Sequence, residues 1–203
     1  MTILLILLSY LTGAFPSAFI VGKSFFSIDI RQHGSGNAGA TNTFRVLGKV
    51  AGIIVLIIDV FKGWLVVNFV YLFSSININP ELLFEYQLLF GVFAVIGHLF
   101  PVYTRFRGGK GIATLLGLLI GLHSFSAFVS CMVFIIVLLA FRYVSLASIF
   151  SAIAFPIIIY FFSESSDVSL IIFSIFVPLL ALSTHHKNIR RLLRGQERKI
   201  KFK

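Results

Sequence analysis

Three short polar segments interrupt an otherwise apolar chain, and the first of them has residue types suited to binding an anion. Segment one, residues 31–45, carries three glycines among hydroxyl and amide side chains and ends in an arginine. Glycine lets successive backbone N–H groups converge on one anion, and a guanidinium is a planar, permanently charged fork for phosphate or carboxylate. A plain turn would not need so many donors. The candidate binding residues are Ser35, Gly36, Asn37, Thr41, Asn42 and Arg45.

Segment two, residues 97–114, places a lysine inside a glycine-rich turn. Gly108, Gly109 and Gly111 surround Lys110, and the pattern predicts an apolar helix immediately afterwards. A helix start presents unpaired N–H groups and the positive end of the helix dipole, so such a loop suits an anion. The pattern is not a Walker A motif, because Gly111 stands where that motif has Ser or Thr and no strand precedes it. A tight turn whose cations only anchor the membrane interface is the alternative interpretation.

Segment three, residues 184–197, is strongly basic. The spacing of Ile189, Leu192 and Leu193 predicts a short amphipathic helix along the membrane interface, with its arginines toward lipid headgroups. That interpretation explains the basic residues but not the other polar ones, among which a histidine is the side chain best suited to exchanging a proton near neutral pH. The residues left unexplained are His185, Asn188 and Glu197.

The composition requires lipid as the solvent for most of the chain. The 203 residues are 58% hydrophobic and 12% charged, with a mean hydropathy of +1.01, whereas soluble domains are about one quarter charged. The single cysteine, Cys131, excludes a disulfide framework and a thiolate metal site. No cleavable signal peptide is predicted, because the first apolar stretch runs from Ile3 to about Gly22 and is long enough to span.

Apolar windows predict an all-α bundle of seven transmembrane helices within a single domain, residues 1–203. Gly13 and Pro16 predict a kink or close packing in the first span. A single span over residues 111–142 would reverse the orientation of everything after it. The predicted spans are residues 3–22, 50–73, 84–104, 111–125, 126–142, 145–162 and 168–184.

The charges between these windows decide the orientation. Sixteen of the 17 Lys and Arg residues fall on one side of the seven-span arrangement, and none falls on the other. Lys and Arg are enriched in cytoplasmic loops, so the N-terminus is predicted outside and the C-terminus inside. In a membrane protein of net charge +10, excess positive charge indicates lipid headgroups or a phosphorylated substrate rather than nucleic acid. The polar residues assigned to the outer side are Asn77, Asn79, Glu81, Glu85, His123, Ser124, Glu164 and Asp167.

Two charges remain inside the second span. Asp59 and Lys62 are three residues apart on one helix face, and an isolated charge in the membrane is costly, so we expect them to pair in a structural role. His98, near the inner end of the third span, is either a hydrogen-bonding core residue or a phosphate contact.

The three segments together resemble the PlsY family, the bacterial acyl-phosphate-dependent glycerol-3-phosphate acyltransferases. The resemblance covers essentially the whole chain in order. It rests on residues 34–45, 97–101, 108–114 and 185–197, with further similarity at residues 10–18, 59–63 and 142–146. Arg107 stands where the family commonly has lysine, and Ala14 where it commonly has serine.

The resemblance implies transfer of an acyl group from acyl phosphate to the sn-1 hydroxyl of glycerol 3-phosphate, giving 1-acylglycerol 3-phosphate and phosphate in phospholipid biosynthesis. No metal, coenzyme A or acyl carrier protein is implied. The expected setting is the bacterial plasma (inner) membrane, with a monomer among membrane lipids and the active site on the cytoplasmic face. Both substrates carry phosphate and one has an acyl tail, which fits an anion-binding face on an apolar bundle.

Carried over by position, the resemblance divides the candidate residues into two sets. The catalytic set is Ser35, Arg45, Lys110, His185, Asn188 and Glu197. The substrate-binding set is Gly36, Asn37, Thr41, Asn42, His98, Gly108, Gly109, Gly111 and Ser145.

The expected mechanism is direct attack of the glycerol hydroxyl on the acyl carbonyl, because phosphate is already a good leaving group. Arg45, Lys110 and backbone N–H groups would stabilise the developing charge. The base is either His185 or the substrate's own phosphate. Ser35 is interpreted as a phosphate donor rather than a nucleophile, because no His-Asp pair is evident to activate it.

Two other classes of protein fit the sequence less well. A CDP-alcohol phosphotransferase needs clustered aspartates for metal, but Asp29, Asp59 and Asp167 lie far apart in the sequence. A transporter for a phosphorylated solute would usually show inverted repeats and polar sites at the membrane midplane, whereas polarity here gathers at one face.

Overall fold

The computed structural model describes residues 2–72, 79–162 and 168–200, in which the regular elements are helices and short 3₁₀ turns. Five of the polar or charged residues used to assign topology, Asn77, Glu164, Asp167, Lys201 and Lys203, lie outside the described residues, as does the end of the predicted span 50–73. The helices are α1 (Thr2–Ala14), α2 (Ser17–Phe26), α3 (Ala40–Leu47), α4 (Lys49–Val67), α5 (Phe69–Leu72), α6 (Leu83–Leu99), α7 (Ile112–Leu122), α8 (Ser124–Phe141), α9 (Val144–Phe162), α10 (Val168–Thr184) and α11 (His186–Leu193).

The chain forms two compact units, Met1–Leu122 and His123–Lys203. In the first unit, α1 packs on α6, and α4 packs on both α6 and α7. Its buried core between these helices includes Leu5, Val66 and Phe90. Segments one and two both belong to this unit.

The first apolar stretch is broken at Pro16. Proline has no N–H group and disfavours helix at the residue before it, so α1 ends at Ala14 and α2 begins at Ser17, bent by 42°. A Cβ added to Gly13 would collide with the backbone of Ala94. The predicted kink and the predicted close packing are therefore both present.

Glycines allow α4 and α7 to approach until their backbones touch. A Cβ on Gly63 would collide with the carbonyl oxygen of Thr114, and a Cβ on Gly117 would collide with that of Val60. Small residues at such contacts are typical of membrane helix pairs, where close van der Waals packing drives association. The position of α7, which begins one residue after Gly111, is thereby fixed against α4.

In the second unit, α9 packs against both α8 and α10, and α10 bends by 64° into α11. Beyond α11, Gly195 adopts a left-handed conformation with φ +67°, and the chain turns back. The N–H of Ile200 then donates to the carbonyl of Arg142 at 2.8 Å. The turn therefore brings the chain after α11 back to the residues that precede α9.

The apolar run at residues 111–142 is two helices rather than one. His123 caps α8, because its Nδ1 accepts a hydrogen bond from the N–H of Ser126 at 3.3 Å. The helices therefore run 112–122 and 124–141, where 111–125 and 126–142 were predicted.

Four helices of the described chain are long and apolar enough to cross a membrane: α4, α6 with the turn that follows it, α8 and α9. The number rises to six if each of the bent pairs α1–α2 and α10–α11 is one span. The apolar α7 is shorter, with 11 residues.

Candidate functional site

Segment one forms a loop whose shape is set by a buried asparagine. Asn42, which is 2% exposed, accepts a hydrogen bond from the Ser35 N–H at 2.8 Å. Its amide nitrogen donates to the carbonyls of Ile30 and His33 at 3.1 and 3.0 Å. The amide of Asn42 is thus used by the loop itself, whereas Ser35 lies exposed at the loop surface.

The remaining predicted residues of segment one lie on either side of Gly39. Gly36 is exposed and has φ +73°, a backbone conformation that glycine adopts at little cost. Asn37 is half-buried in the loop, while Thr41 and Arg45 are half-buried on the first and last turns of α3.

Arg31 ties segment one to the turn that precedes the glycines of segment two. It pairs with Asp29 at 2.8 Å, and its Nη1 donates to the carbonyl of Thr104 at 3.2 Å. The hydrogen bond from the Arg31 side chain holds the pKa of the Asp29 carboxyl below its usual value. The ion pair therefore fixes the guanidinium that joins the two segments.

Segment two is held against α6 by its backbone. The Gly109 N–H donates to the carbonyl of His98 at 3.1 Å, and the Thr104 hydroxyl donates to the carbonyl of Arg107 at 3.1 Å. A Cβ on Gly108 would collide with the same His98 carbonyl, so glycine is required there for close approach. The half-buried Lys110 follows, two residues before α7 begins.

Segments one and two meet at a small polar cavity in the first unit. Ala38 of segment one and Arg107, Gly108 and Gly109 of segment two line it. The intramembrane polar residues Ser17, Lys62 and His98 line it as well. Its lining includes the Arg107 guanidinium and the Lys62 ammonium, which is paired with Asp59.

An apolar groove lies beside this cavity. It is lined mainly by α1 and α4, including Leu8, Leu11, Phe61 and Leu65. Phe15 and Lys62 line both the groove and the polar cavity. The first unit therefore has an apolar groove that adjoins the smaller cavity lined by segment two.

In the second unit, the Glu197 carboxylate accepts hydrogen bonds from three side chains. Its Oε1 accepts from Ser145 at 3.0 Å and from Asn188 at 2.7 Å, and its Oε2 accepts from Arg191 at 2.7 Å. Burial by itself raises the pKa of this carboxyl, but these hydrogen bonds outweigh burial and bring the pKa below its ordinary value. The carboxylate joins the start of α9, α11 and the tail.

His185, 3% exposed, has a defined hydrogen position. Its Nδ1 lies 2.8 Å from the carbonyl oxygen of Ala181. A carbonyl only accepts, so Nδ1 carries the hydrogen and the neutral ring has its lone pair at Nε2. That is the nitrogen that a general base would use.

Of the predicted residues, His98, Gly108 and Gly109 line the cavity of the first unit, to which segment one contributes Ala38. The predicted residues of segment one lie in its loop and on α3, outside that lining. In the second unit, Ser145 and Asn188 meet at Glu197. Sequence reasoning assigned no site role to Ser17, Arg31, Thr104 or Arg191, which position the predicted residues. Only Arg31 carried a local signal, because Asp29 lies two residues before it.

The chain is similar to known enzymes over its full length. The family model for glycerol-3-phosphate acyltransferase matches residues 3–195. Glycerol-3-phosphate acyltransferases of Staphylococcus aureus strains Newman and JH9 are each 45% identical over 207 residues, covering 100% of this chain and 99% of theirs.

Two solved structures share the fold. The glycerol 3-phosphate form of PlsY (YgiH), an integral membrane glycerol 3-phosphate acyltransferase, superimposes with a TM-score of 0.86 at 33% identity, covering 98% of this chain and 96% of that one. The lysophosphatidic acid form gives a TM-score of 0.82 at 32% identity, covering 98% and 95%.

These matches confirm the resemblance drawn from the three segments. They also set aside the CDP-alcohol phosphotransferase and the transporter. The described residues contain no group of three or more His, Cys, Asp or Glu side chains that could hold a metal ion. The chain belongs to the glycerol-3-phosphate acyltransferase family, and it is an all-helical integral membrane acyltransferase of phospholipid biosynthesis.

Proposed function

We propose that this chain transfers an acyl group from acyl phosphate to the sn-1 hydroxyl of glycerol 3-phosphate, releasing 1-acylglycerol 3-phosphate and inorganic phosphate. The observation that carries the proposal is the cavity of the first unit, lined by Arg107, Gly108 and Gly109, which adjoins an apolar groove. Relatives of known structure with glycerol 3-phosphate and with lysophosphatidic acid support the acceptor and the product.

The groove supports an acyl donor that keeps its tail in lipid. An acyl phosphate has an apolar chain and a compact anionic head, and the groove and cavity share Phe15 and Lys62 at their boundary. A chain lying against Leu8, Leu11 and Leu65 would place its head toward the cavity.

In the proposed reaction, the sn-1 oxygen attacks the acyl carbonyl carbon as the bond from that carbon to the phosphate oxygen breaks. The phosphate leaves with the electron pair, and Arg45, Lys110 and the N–H groups of segment two stabilise the developing charge. Ser35 donates a hydrogen bond to phosphate. The hydroxyl proton passes to a base, for which Nε2 of His185 and a substrate phosphate are the two candidates.

Asn188, Ser145 and Glu197 have a supporting role in this proposal. Glu197 accepts from both of the others and from Arg191, so its carboxylate fixes α11 and the start of α9 rather than reacting. Asn42 likewise serves segment one through its own hydrogen bonds. Gly36, Asn37 and Thr41 supply the remaining phosphate contacts.

We also propose one membrane-embedded domain of seven spans, with α7 as the short fourth span, the N-terminus outside and the site on the cytoplasmic face of the bacterial plasma membrane. The concentration of Lys and Arg on one side supports this orientation. We propose that the protein is a monomer. The mass of the purified protein–detergent complex, corrected for bound detergent, would test this.

The donor is tested with purified protein in lipid nanodiscs containing glycerol 3-phosphate. Palmitoyl phosphate, palmitoyl-coenzyme A and palmitoyl acyl carrier protein are supplied separately, and lysophosphatidate is measured by mass spectrometry. We expect product from the acyl phosphate alone. Product from either thioester in the absence of acyl phosphate would contradict the proposal.

A further inference from the structure

A buried charged cluster lies beside the cavity of the first unit. Asp59 and Lys62 of α4 are 1% and 4% exposed, and their side chains pair at 2.9 Å. Ser17 donates to the same Asp59 oxygen at 2.7 Å. An ion pair in the membrane needs such partners, and by itself this pairing would be structural.

Lys62 also contacts His98, a partner that neutralising its charge does not require. The ammonium has three N–H donors and no acceptor. Its Nζ lies 2.9 Å from Asp59 Oδ1, 3.2 Å from the carbonyl oxygen of Phe15 and 2.9 Å from His98 Nδ1. Each hydrogen of the ammonium therefore has one acceptor, and the third acceptor is the ring of His98.

This arrangement fixes the hydrogen on His98. Because Lys62 donates to Nδ1, that nitrogen must present its lone pair, so the neutral ring carries its hydrogen at Nε2. Asp59 Oδ1 lies farther from Nδ1, at 3.6 Å, and is already engaged by Lys62 and Ser17. The closer donor decides the tautomer.

The other side of the ring faces segment two. A Cβ built on Gly109 would collide with Nε2 of His98, so this nitrogen lies directly against the glycine turn. His98, Gly109 and Arg107 line the same cavity. None of the hydrogen bonds among the described residues uses Nε2.

We propose that Lys62 and Asp59 are positioning residues that hold His98 as the Nε2–H tautomer, so that His98 donates a hydrogen bond to a substrate phosphate oxygen and does not act as a base. The proposal rests on the proposed function for the identity of the anion. The Asp59–Lys62 pair would then have a role in the reaction, in addition to the mutual neutralisation of its two charges within the membrane.

The direct test is ¹⁵N NMR of histidine-labelled protein in nanodiscs, with His98 assigned by the resonances lost in His98→Gln. We expect the one-bond N–H coupling at Nε2 and a non-protonated Nδ1. Replacing Lys62 in Lys62→Met should remove that preference. A hydrogen on Nδ1 of the wild-type ring would overturn the proposal.

Ligand titrations distinguish the two possible sources of phosphate. Glycerol 3-phosphate and inorganic phosphate, which stands in for the donor head group, are added separately while the Nε2 resonance is followed. A shift with either one supports the proposal and indicates which substrate His98 contacts. No shift with either at saturating concentration would overturn it.

Steady-state kinetics distinguish a hydrogen-bond donor from a general base at His98. The side-chain N–H of glutamine can lie near the position of Nε2, so we expect His98→Gln to keep kcat within about 10-fold, whereas His98→Leu loses about 100-fold or more. The matched control is His186→Gln, because His186 is an exposed histidine of α11 and lies outside the proposed site. Equal loss in His98→Gln and His98→Leu, with unchanged thermal midpoints, would overturn the donor role.

Failure of this inference and failure of the proposed function give different results. The NMR arm needs no turnover, so a wrong tautomer overturns the role of His98 even if acyl phosphate is a good donor. Absence of product from acyl phosphate in the wild-type protein overturns the proposed function and leaves the tautomer measurement standing.

Discussion

The two buried histidines of this protein carry their hydrogens on opposite nitrogens. His185 donates from Nδ1 to the carbonyl of Ala181, which leaves a lone pair at Nε2, while His98 accepts from Lys62 at Nδ1 and carries its N–H at Nε2. A base must accept a proton and an anion-binding group must donate, so the same residue type is suited to two roles by its neighbours.

Arg45 is the residue whose loss we expect to affect turnover most directly. Arg45→Ala should lower kcat/KM by about 100-fold or more, as expected when one donor to a developing charge is removed. Arg45→Lys should recover only part of this, because an ammonium lacks the planar fork. Lysophosphatidate formation under steady-state conditions is the measurement.

The matched control for Arg45 is Arg190→Ala, which removes an exposed arginine of α11. Its kcat/KM should stay within about threefold of the wild type, because an exposed interfacial charge contributes little to the chemistry. Equal losses in Arg45→Ala and Arg190→Ala would mean that overall charge, rather than the placement of Arg45, governs activity.

Glu197 should matter for stability, because removing it leaves Ser145, Asn188 and Arg191 without their shared acceptor. We expect Glu197→Ala to destabilise the protein by about 2–3 kcal/mol, the scale of hydrogen bonds to a charged group. The exposed Glu81 supplies the control variant Glu81→Ala. Thermal unfolding in detergent measures both, and an equal midpoint for the two variants would exclude this role.

The lowered pKa of Glu197 also predicts a pH dependence. A carboxyl with a depressed folded-state pKa contributes stability above its ordinary pKa, and that contribution is lost as pH falls through the lowered value. The thermal midpoint of the wild type should therefore approach that of Glu197→Ala on acidification below the ordinary glutamate range. A constant difference between the two at every pH would contradict this.

Residue types within one segment could be predicted, but partners far apart in sequence could not. Arg45 and Lys110 were visible because glycines and hydroxyls surround them locally. The Ser17–Asp59 hydrogen bond spans 42 residues and the Arg31–Thr104 bond spans 73, and no periodicity in a single sequence reports such a pairing. The Ser145 partner of Glu197 is likewise 52 residues away, whereas the partners of Asn42 lie only 7 to 12 residues before it.

At the scale of helices, two interruptions of apolar runs could be predicted from the sequence, but the short length of α7 could not. Pro16 marked the break between α1 and α2, and the boundary predicted between residues 125 and 126 lies two residues after the start of α8 at Ser124. The predicted span 111–125 became a helix of 11 residues, because His123 caps the next helix and ends the apolar run early.

The backbone contact between α4 and α7 predicts a sharp difference between two glycines of α7. Gly117→Ala should destabilise the protein by about 3 kcal/mol or more, because the new methyl meets the Val60 backbone and overpacking of that kind cannot be relieved by a rotamer change. The nearest atoms to a Cβ on Gly121 belong to side chains, those of Val67 at 3.0 Å and Asn68 at 3.8 Å, so Gly121→Ala is the milder control. Similar thermal midpoints for both variants would show that the helices do not pack this closely.

For the whole molecule, the asymmetric charge predicts the orientation. In a Cys131→Ser background, Glu81→Cys should react with a membrane-impermeant maleimide in intact cells, whereas Arg190→Cys should react only after the membrane is opened. Both positions are exposed in the structure, so the membrane alone determines access. Labelling of Arg190→Cys in intact cells would contradict the predicted orientation and indicate the opposite one.

Direct transfer from acyl phosphate to glycerol 3-phosphate is the central claim, and the coupling of its two products tests it best. Purified protein in nanodiscs is mixed rapidly with palmitoyl phosphate, with and without glycerol 3-phosphate, and phosphate and lysophosphatidate are followed together. We expect equal amounts of the two products from the first turnover onward and no phosphate burst without the acceptor. A stoichiometric burst of phosphate without glycerol 3-phosphate, or lysophosphatidate formed without equal phosphate, would contradict the claim.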